Sequence, residues 1–347
     1  MPVCHTGGRG FEPRQPRLNP LRGTHVTAPP AAAGGAVFFS GEDPTSVYHV
    51  PVLAEAVRAW AHGSRRAVDA TVGGGGHAEL LRDAGADVLA IDRDPDALAA
   101  ARARLGDAGV RYLAAPFGAA PALAAVAAYR PDRVLLDLGV SSAQLDRAER
   151  GFTFRPGAPL DMRMTPGEGP TAADVLNTWA AERLADAFAD YGDEPRARAL
   201  ARCVLRRRLR APFRVSDDFV NAIREVHGPR AGPAVFARLF QALRIAVNDE
   251  LGELGRALPA LRDALVPGGQ LGVITYHSGE DRIVKHAFRE WARACVCPPR
   301  QPVCTCRGRP LGRSPAPRGV LPDPAEIAAN PRARSARLRT FEVADGR

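Results

Sequence analysis

Asp69-Ala-Thr-Val-Gly-Gly-Gly-Gly-His77 lies between a short apolar run and a helical pattern. Arg66–Val72 reads as a buried strand and Glu79–Ala84 as a helix. The glycines between them let a ligand approach the backbone closely, and the helix start offers unpaired N–H groups. Asp92 closes a second strand, Asp87–Ile91, where a carboxylate can accept both ribose hydroxyls of an adenosine. Two ligands fit this much. Gly73, Gly75 and Ala78 meet the looser G-x-G-x-x-A form of a dinucleotide site. S-adenosyl-L-methionine instead needs an acid for its ammonium group, and Asp69 can serve.

Working outward, Pro95–Leu105 reads as a helix, Val110–Ala114 as a strand, Ala119–Ala128 as a helix and Arg133–Leu138 as a fourth strand. Alternation at this spacing predicts right-handed βαβ units and a parallel sheet, hence an α/β, Rossmann-like fold. It stops near Asp146. From there to Phe236 the patterns are helical, clearest at Thr171–Phe188 and Glu194–Leu209. It resumes with a long helix at Phe240–Leu265, a fifth strand at Gly269–His277 and a helix at Glu280–Ala294. Arg318–Leu321 and Ser335–Val343 read as two further strands, the second with half-buried alternation. The expected organisation is a discontinuous domain, 46–145 and 237–345, interrupted by a helical insertion, 146–236. Residues 1–45, rich in Gly, Pro, Ala and Arg, are expected to be a disordered leader.

Among 347 residues, 46% are hydrophobic and 24% charged, which excludes a mainly disordered or collagen-like chain. The apolar stretches Ala31–Ser40 and Ala119–Tyr129 are too short to span a membrane, and Met1–Arg17 lacks the apolar segment of a secretory signal. Six cysteines are too few for a disulfide scaffold, so the reducing cytoplasm is expected. The net charge is +9, and Lys285 is the only lysine. Codon bias explains arginine over lysine but not the excess of positive charge. Seven arginines and no acid fall in Pro195–Arg210, and nine arginines against four acids in 307–347. A polyanionic partner is favoured over a merely solvated face.

Asp137-Leu-Gly-Val-Ser-Ser142 follows strand four, at the carboxyl edge where open α/β sheets place their chemistry. Asp137 with Ser141 and Ser142 can hold a polar amine there. The competing reading is an N-cap and turn. At this point the chain resembles the bacterial 16S rRNA (cytosine(1402)-N(4))-methyltransferase family. The resemblance runs through His49-Val-Pro-Val-Leu53, the glycine loop, Ala90-Ile-Asp-Arg-Asp-Pro95, Leu135–Asp146, Glu149–Phe152, Pro159–Met164, Phe240–Leu251, His277–Lys285 and Asn330–Ser335. It implies an S-adenosyl-L-methionine-dependent methyltransferase sheet with a helical insertion that meets RNA. It implies 16S rRNA of the small ribosomal subunit as partner, no membrane, and cofactor contacts at Gly75, Gly76, His77, Asp92, Phe117, Asp137 and Gln144. A homodimer is compatible with it. Three positions depart from the pattern. Gly279 stands for the usual Leu, Thr165 for Asp and Leu239 for Thr; Gly279 is expected to loosen the loop before its helix.

The expected reaction is methyl transfer to the exocyclic amine of cytidine. That amine is a poor nucleophile, so placement and an acceptor for its hydrogen are needed and no covalent intermediate is. Asp137, Ser141 and Ser142 are the catalytic candidates, with Asp161 and His277 candidates for the same pocket. Phe152 and Phe154, beside Arg150 and Arg155, can stack on a flipped base or fill a core. Methylation at ring carbon five would need a cysteine nucleophile. Cys203 lies in a helical pattern and Cys4 in the leader, which disfavours it. Cys295, Cys297, Cys304 and Cys306 form C-x-C-x6-C-x-C, with Pro298-Pro299 at a bend. Two extended arms can offer four thiolates to zinc, but the spacing is not the usual C-x2-C and the resemblance requires no metal. Reduced thiols are therefore expected, and no metal. The other functional classes in play are a DNA amino-methyltransferase, whose Pro-Pro-aromatic motif is missing after strand four, a non-catalytic RNA-binding assembly factor, and a nicotinamide oxidoreductase.

Overall fold

The sheet is built from β1 (Arg66–Asp69), β2 (Asp87–Asp92), β3 (Val110–Ala114), β4 (Arg133–Asp137), β5 (Gln270–Thr275), β6 (Gly312–Arg313) and β7 (Arg337–Val343), in the order β3-β2-β1-β4-β5-β7-β6. These come from a computed structural model that describes residues 51–298, 301 and 303–345. The expected leader lies outside the described residues. The first five strands are parallel, and β7 runs antiparallel between β5 and β6.

Helices cover both faces: α1 (Ala54–Ala61), α2 (Gly76–Asp83), α3 (Pro95–Leu105) and α4 (Ala120–Tyr129) come with the first four strands. Successive strand residues point to opposite faces. Val68, Leu89, Ile91, Val134 and Leu136 therefore share one buried cluster, whereas Ala67, Val88 and Ala90 belong to the other face. Both faces being apolar is why these strands read as unbroken hydrophobic runs. Strand order reverses between β1 and β4, so the carboxyl ends of these neighbours, Asp69 and Asp137, flank the switch point.

After the short α5 (Ser142–Asp146) come α6 (Ala172–Thr178), α7 (Ala181–Gly192), α8 (Ala197–Arg208), α9 (Ser216–His227) and α10 (Pro233–Asn248). They share a buried cluster running from Phe152 to Leu243. Phe188 and Phe219 stack there with centroids 5.7 Å apart; burying each such side chain is worth about 1.5–3 kcal/mol. Then α11 (Glu250–Ala264) returns to the sheet, and α12 (Ser278–Trp291) and α13 (Pro324–Ala329) complete the fold.

Two expected helices are broken. The pattern over 171–188 splits at Trp179, which leaves helical geometry at ψ 149°. The pattern over 240–265 splits at Asp249, which is left-handed with φ 50°. Arg318–Leu321 forms only one bridge, Val320 to Leu338. The strand over Arg337–Val343 is more buried than its alternation predicts, because it is internal. Arg339, 5% exposed, is paired there with Asp281 of α12 at 2.7 and 3.0 Å.

Gly151 shows how tightly the resembling segments meet. Its φ is +76°, and a Cβ there would lie 2.4 Å from the Pro159 carbonyl oxygen and 2.8 Å from the Asp161 nitrogen. Gly151→Ala is expected to cost about 2–4 kcal/mol, since it adds positive-φ strain to a backbone clash. Urea unfolding measures this, and a change below about 0.5 kcal/mol would contradict the packing described.

Candidate functional site

The glycine loop is folded by the strands it joins. Val72 N–H donates to the Ile91 carbonyl at 2.9 Å, and Gly73 N–H to Asp92 Oδ2 at 2.9 Å. Gly75 caps α2 with φ 83°, and a Cβ on it would approach Ala101 Cα to 3.2 Å. A larger residue would push α3 off the loop. Gly76 opens α2 against Pro51.

Three acidic strand ends gather beside this loop. Asp69 is fully buried; its Oδ1 accepts from Thr71 N–H at 3.2 Å, while Oδ2 has no hydrogen-bond partner. Burial pushes its carboxyl up to about 7, against the pull of His77, and the Asp137 and Asp92 charges add to the rise. Asp92 accepts from Gly73 N–H and, through Oδ1, from Asp94 N–H at 2.9 Å. One lone pair on each oxygen remains for a ligand. Burial raises this carboxyl too, and the backbone donors limit the rise.

Asp137 is partly buried. Its N–H donates to Thr71 Oγ1 at 2.6 Å, and Oδ1 accepts from the Tyr276 hydroxyl at 2.8 Å. Oδ2 lies 3.4 Å from His77 Nδ1. The Val52 carbonyl can only accept, so His77 Nε2 carries a hydrogen in their 2.8 Å contact. Burial raises the Asp137 carboxyl, opposed first by His77 and then by the Tyr276 hydrogen bond. Burial, reinforced by the Asp137 charge, keeps the Tyr276 phenol protonated.

The remaining sequence candidates separate. Phe117, half-buried, packs on the sheet cluster, and the next residue is pinned by a 2.9 Å bond from Gly118 N–H to Glu253 Oε1. Gln144 is buried with both ends of its amide engaged. Nε2 donates to Asp94 Oδ2 at 2.9 Å, and Oε1 accepts from Ser141 N–H at 3.0 Å. Ser141 Oγ accepts from Gln144 N–H at 3.2 Å, so this hydroxyl caps α5, the structural reading of the motif. The Ser142 side chain lies outside those described.

Asp161 grips Arg163 at 2.7 and 2.9 Å; burial would raise its carboxyl, but the Arg163 hydrogen bonds outweigh that and lower it. His277 caps α12, with Nδ1 accepting from Gly279 N–H at 3.2 Å and Nε2 lying 3.1 Å from Glu280 Oε1. Gly279 does not lie in a loop before the helix. It sits inside α12, and a Cβ there would come within 3.1 Å of the His277 ring. Thr165 accepts from Arg93 Nε at 3.0 Å, and Leu239 is fully buried in the helical core.

Phe152 and Phe154 are core aromatics. Phe152 is buried, and Phe154 packs edge-on against Phe236 and Phe240 at 5.9 Å. Cys203 is buried in the same cluster and its thiol is pushed up to about 11 by burial and then by Glu225, which makes it no nucleophile.

Several residues that hold the site together had no such role in the sequence reading. Tyr276 holds Asp137, and Glu280 accepts from Tyr276 N–H at 2.8 Å. Buried Asp94 joins Gln144 to Arg150, whose Nη1 lies 2.8 Å from Asp94 Oδ2. Arg150 also donates to the carbonyls of Arg163 and Met164, while Asn248 binds the Met162 carbonyl and Met164 N–H at 2.8 Å. Segments far apart in sequence are thus tied to the end of β2. Asp94 follows the strand-ending acid and precedes Pro95, an N-cap signature that carried no hint of its long-range partners.

A family model described as the MraW methylase family matches residues 46–344. A Gemmatimonas aurantiaca protein named Ribosomal RNA small subunit methyltransferase H is 53% identical over 304 residues, covering 86% of this chain and 96% of the relative. Proteins of the same name from Thermomicrobium roseum and Rubrobacter xylanophilus are 46% and 48% identical, covering 88% and 86% of this chain and 97% and 96% of theirs.

Proposed function

The chain belongs to the MraW methylase family, and from that premise we propose that it transfers a methyl group from S-adenosyl-L-methionine to the N4 amine of cytidine 1402 in 16S rRNA of the small subunit, in the cytoplasm. One observation carries the choice of donor. Asp69 Oδ2 is buried without a partner next to the start of α2. An ammonium group satisfies that oxygen, whereas a dinucleotide pyrophosphate would be repelled by it. The residues present therefore fit the methyl donor. Asp69 would hold its ammonium, the N–H groups at Gly76 and His77 its carboxylate, the free lone pairs of Asp92 its ribose, and Phe117 its adenine, while Gly75, whose own N–H donates to the Val72 carbonyl at 2.8 Å, would keep the loop tight beneath it. When bound, the group supplies an electrophilic methyl on a sulfonium.

In this proposal Asp137 accepts a hydrogen from the target amine and orients its lone pair. Tyr276 and His77 fix the carboxyl from two sides. Ser141 shapes the turn as a helix cap, and Gln144 couples that turn to Asp94 at the end of β2. The helical region 146–236 is proposed as the RNA-substrate domain. Its α8 presents Arg198 and Arg202 to solvent, with Arg210 just beyond, the kind of surface that neutralises phosphates. A pocket lined by Tyr191, Arg238, Gln241, Leu251, His277 and Arg282 opens one residue past Tyr276, and a base turned out of its stack would enter near it.

Mass mapping of small-subunit RNA nucleosides from cells with and without the protein tests the reading. Loss of one N4-methylated cytidine on deletion, restored by the intact chain, is expected. An unchanged map would refute it.

A further inference from the structure

Four sulfurs meet in the loop between α12 and β6. The Sγ atoms of Cys295, Cys297, Cys304 and Cys306 all lie within 4.8 Å of one another. Cys304 Sγ is 3.5 Å from Cys306, 3.8 Å from Cys295 and 3.9 Å from Cys297. A disulfide needs about 2.05 Å, so none of these pairs is bonded. Four thiolates at about 2.3 Å from one zinc ion form a tetrahedron with edges of about 3.8 Å, the spacing of this cluster.

The surroundings agree. Among the described residues of 292–310 none is buried, so no apolar core holds this loop in shape. Its ends are closed by Leu311 N–H donating to the Trp291 carbonyl at 2.8 Å. Val296 N–H points at Cys306 Sγ at 3.3 Å, the outer-shell hydrogen bond that steadies a ligating sulfur. Arg307, next in the chain to Cys306, bonds Glu290 at 2.8 Å and the Arg293 carbonyl at 3.0 Å, which ties the second pair of cysteines back to the end of α12. The expected bend at Pro299 lies outside the described residues.

We propose that Cys295, Cys297, Cys304 and Cys306 bind one structural zinc ion that clips the loop leading into β6 and β7. On binding, four thiol protons pass to solvent and four S–Zn bonds form, with no change in oxidation state. The site is closed: all four ligands come from the protein and no position is open for catalysis.

The test is metal analysis of the full-length chain purified without added metal, followed by zinc titration of the chelator-stripped protein against a competing chelator. Zinc near one per chain on isolation, or stoichiometric uptake by the stripped protein, is expected. Cobalt in its place should give the visible absorption of a tetrahedral thiolate centre. Cys297→Ser and Cys304→Ser should each weaken zinc binding at least about tenfold, whereas Cys203→Ala should not. A stripped chain that takes up no zinc overturns the proposal, as does isolation with iron or with these cysteines paired as disulfides.

Discussion

Asp137→Asn is expected to lower the rate of methyl transfer about 10²–10⁴-fold at saturating donor, the range for removing a positioned proton acceptor. The substitution keeps the shape of the site. Asn Oδ1 can still accept from the Tyr276 hydroxyl, now at 2.8 Å, and its amide can donate to His77 Nδ1 where Asp137 Oδ2 now lies 3.4 Å away. What disappears is the negative charge that draws on the hydrogen of the amine. Burial raises the Asp137 carboxyl, so the neutral acid persists to higher pH than for an ordinary aspartate. The acceptor is the ionised form. Single-turnover rate should therefore fall as pH drops through that raised value, and the Asn variant should lose this limb. Donor affinity, read by equilibrium dialysis, should change less than about tenfold because Asp69 is untouched. A variant rate within about threefold of the parent would remove Asp137 from the chemistry.

Much of this site was legible because acids at the carboxyl ends of parallel strands have few reasons to be there. Asp69, Asp92 and Asp137 each follow an apolar run, and the structure brings all three to one edge. The parallel strands were legible for a related reason: burial on both faces leaves an apolar run that a half-exposed strand lacks. The bonds that tie the site together were not. Gln144 meets Asp94 across 50 residues and Tyr276 meets Asp137 across 139, separations at which no spacing rule operates.

Both missed helix breaks coincide with long-range bonds, and at Trp179 the carbonyl accepts from Arg208 Nη1 of α8 at 2.8 Å. At Asp249 the apolar period continues while the backbone turns left-handed, because Asn248 is held by Met162 and Met164 from another segment. The two-residue β6 is shorter than any pattern can register. Ser141, a candidate for the substrate amine, also accepts a backbone hydrogen as the N-cap of α5, the competing reading of the same motif. For the cysteines, spacing left two arms that could offer four thiolates, and the folded loop brings the four sulfurs within 4.8 Å of one another.

Asp69→Asn is expected to separate binding from stability. In the ligand-free protein the buried carboxyl, raised to about 7, is costly whenever it is charged. A carboxyl whose value is higher in the folded than in the unfolded chain adds stability below about pH 4, and that contribution is lost as pH rises through about 7. At pH 8 the aspartate is a burden that asparagine lacks. The variant's advantage should grow by on the order of 1–3 kcal/mol from pH 5 to pH 8, an excess visible in thermal melts at the two values. Donor binding should move the opposite way. The parent should bind more tightly as pH rises through about 7, releasing a proton where the acid is still neutral, which calorimetry in buffers of different ionisation enthalpy detects. The variant should bind at least about 100-fold more weakly, with no such pH dependence, because a buried amide cannot neutralise an ammonium group. High donor concentration should restore part of its rate, as it should not for Asp137→Asn. A variant that melts no higher than the parent at pH 8 yet binds donor equally well would mean that the unpartnered oxygen of Asp69 is turned away from the ligand, and with it the assignment of the glycine loop would fall.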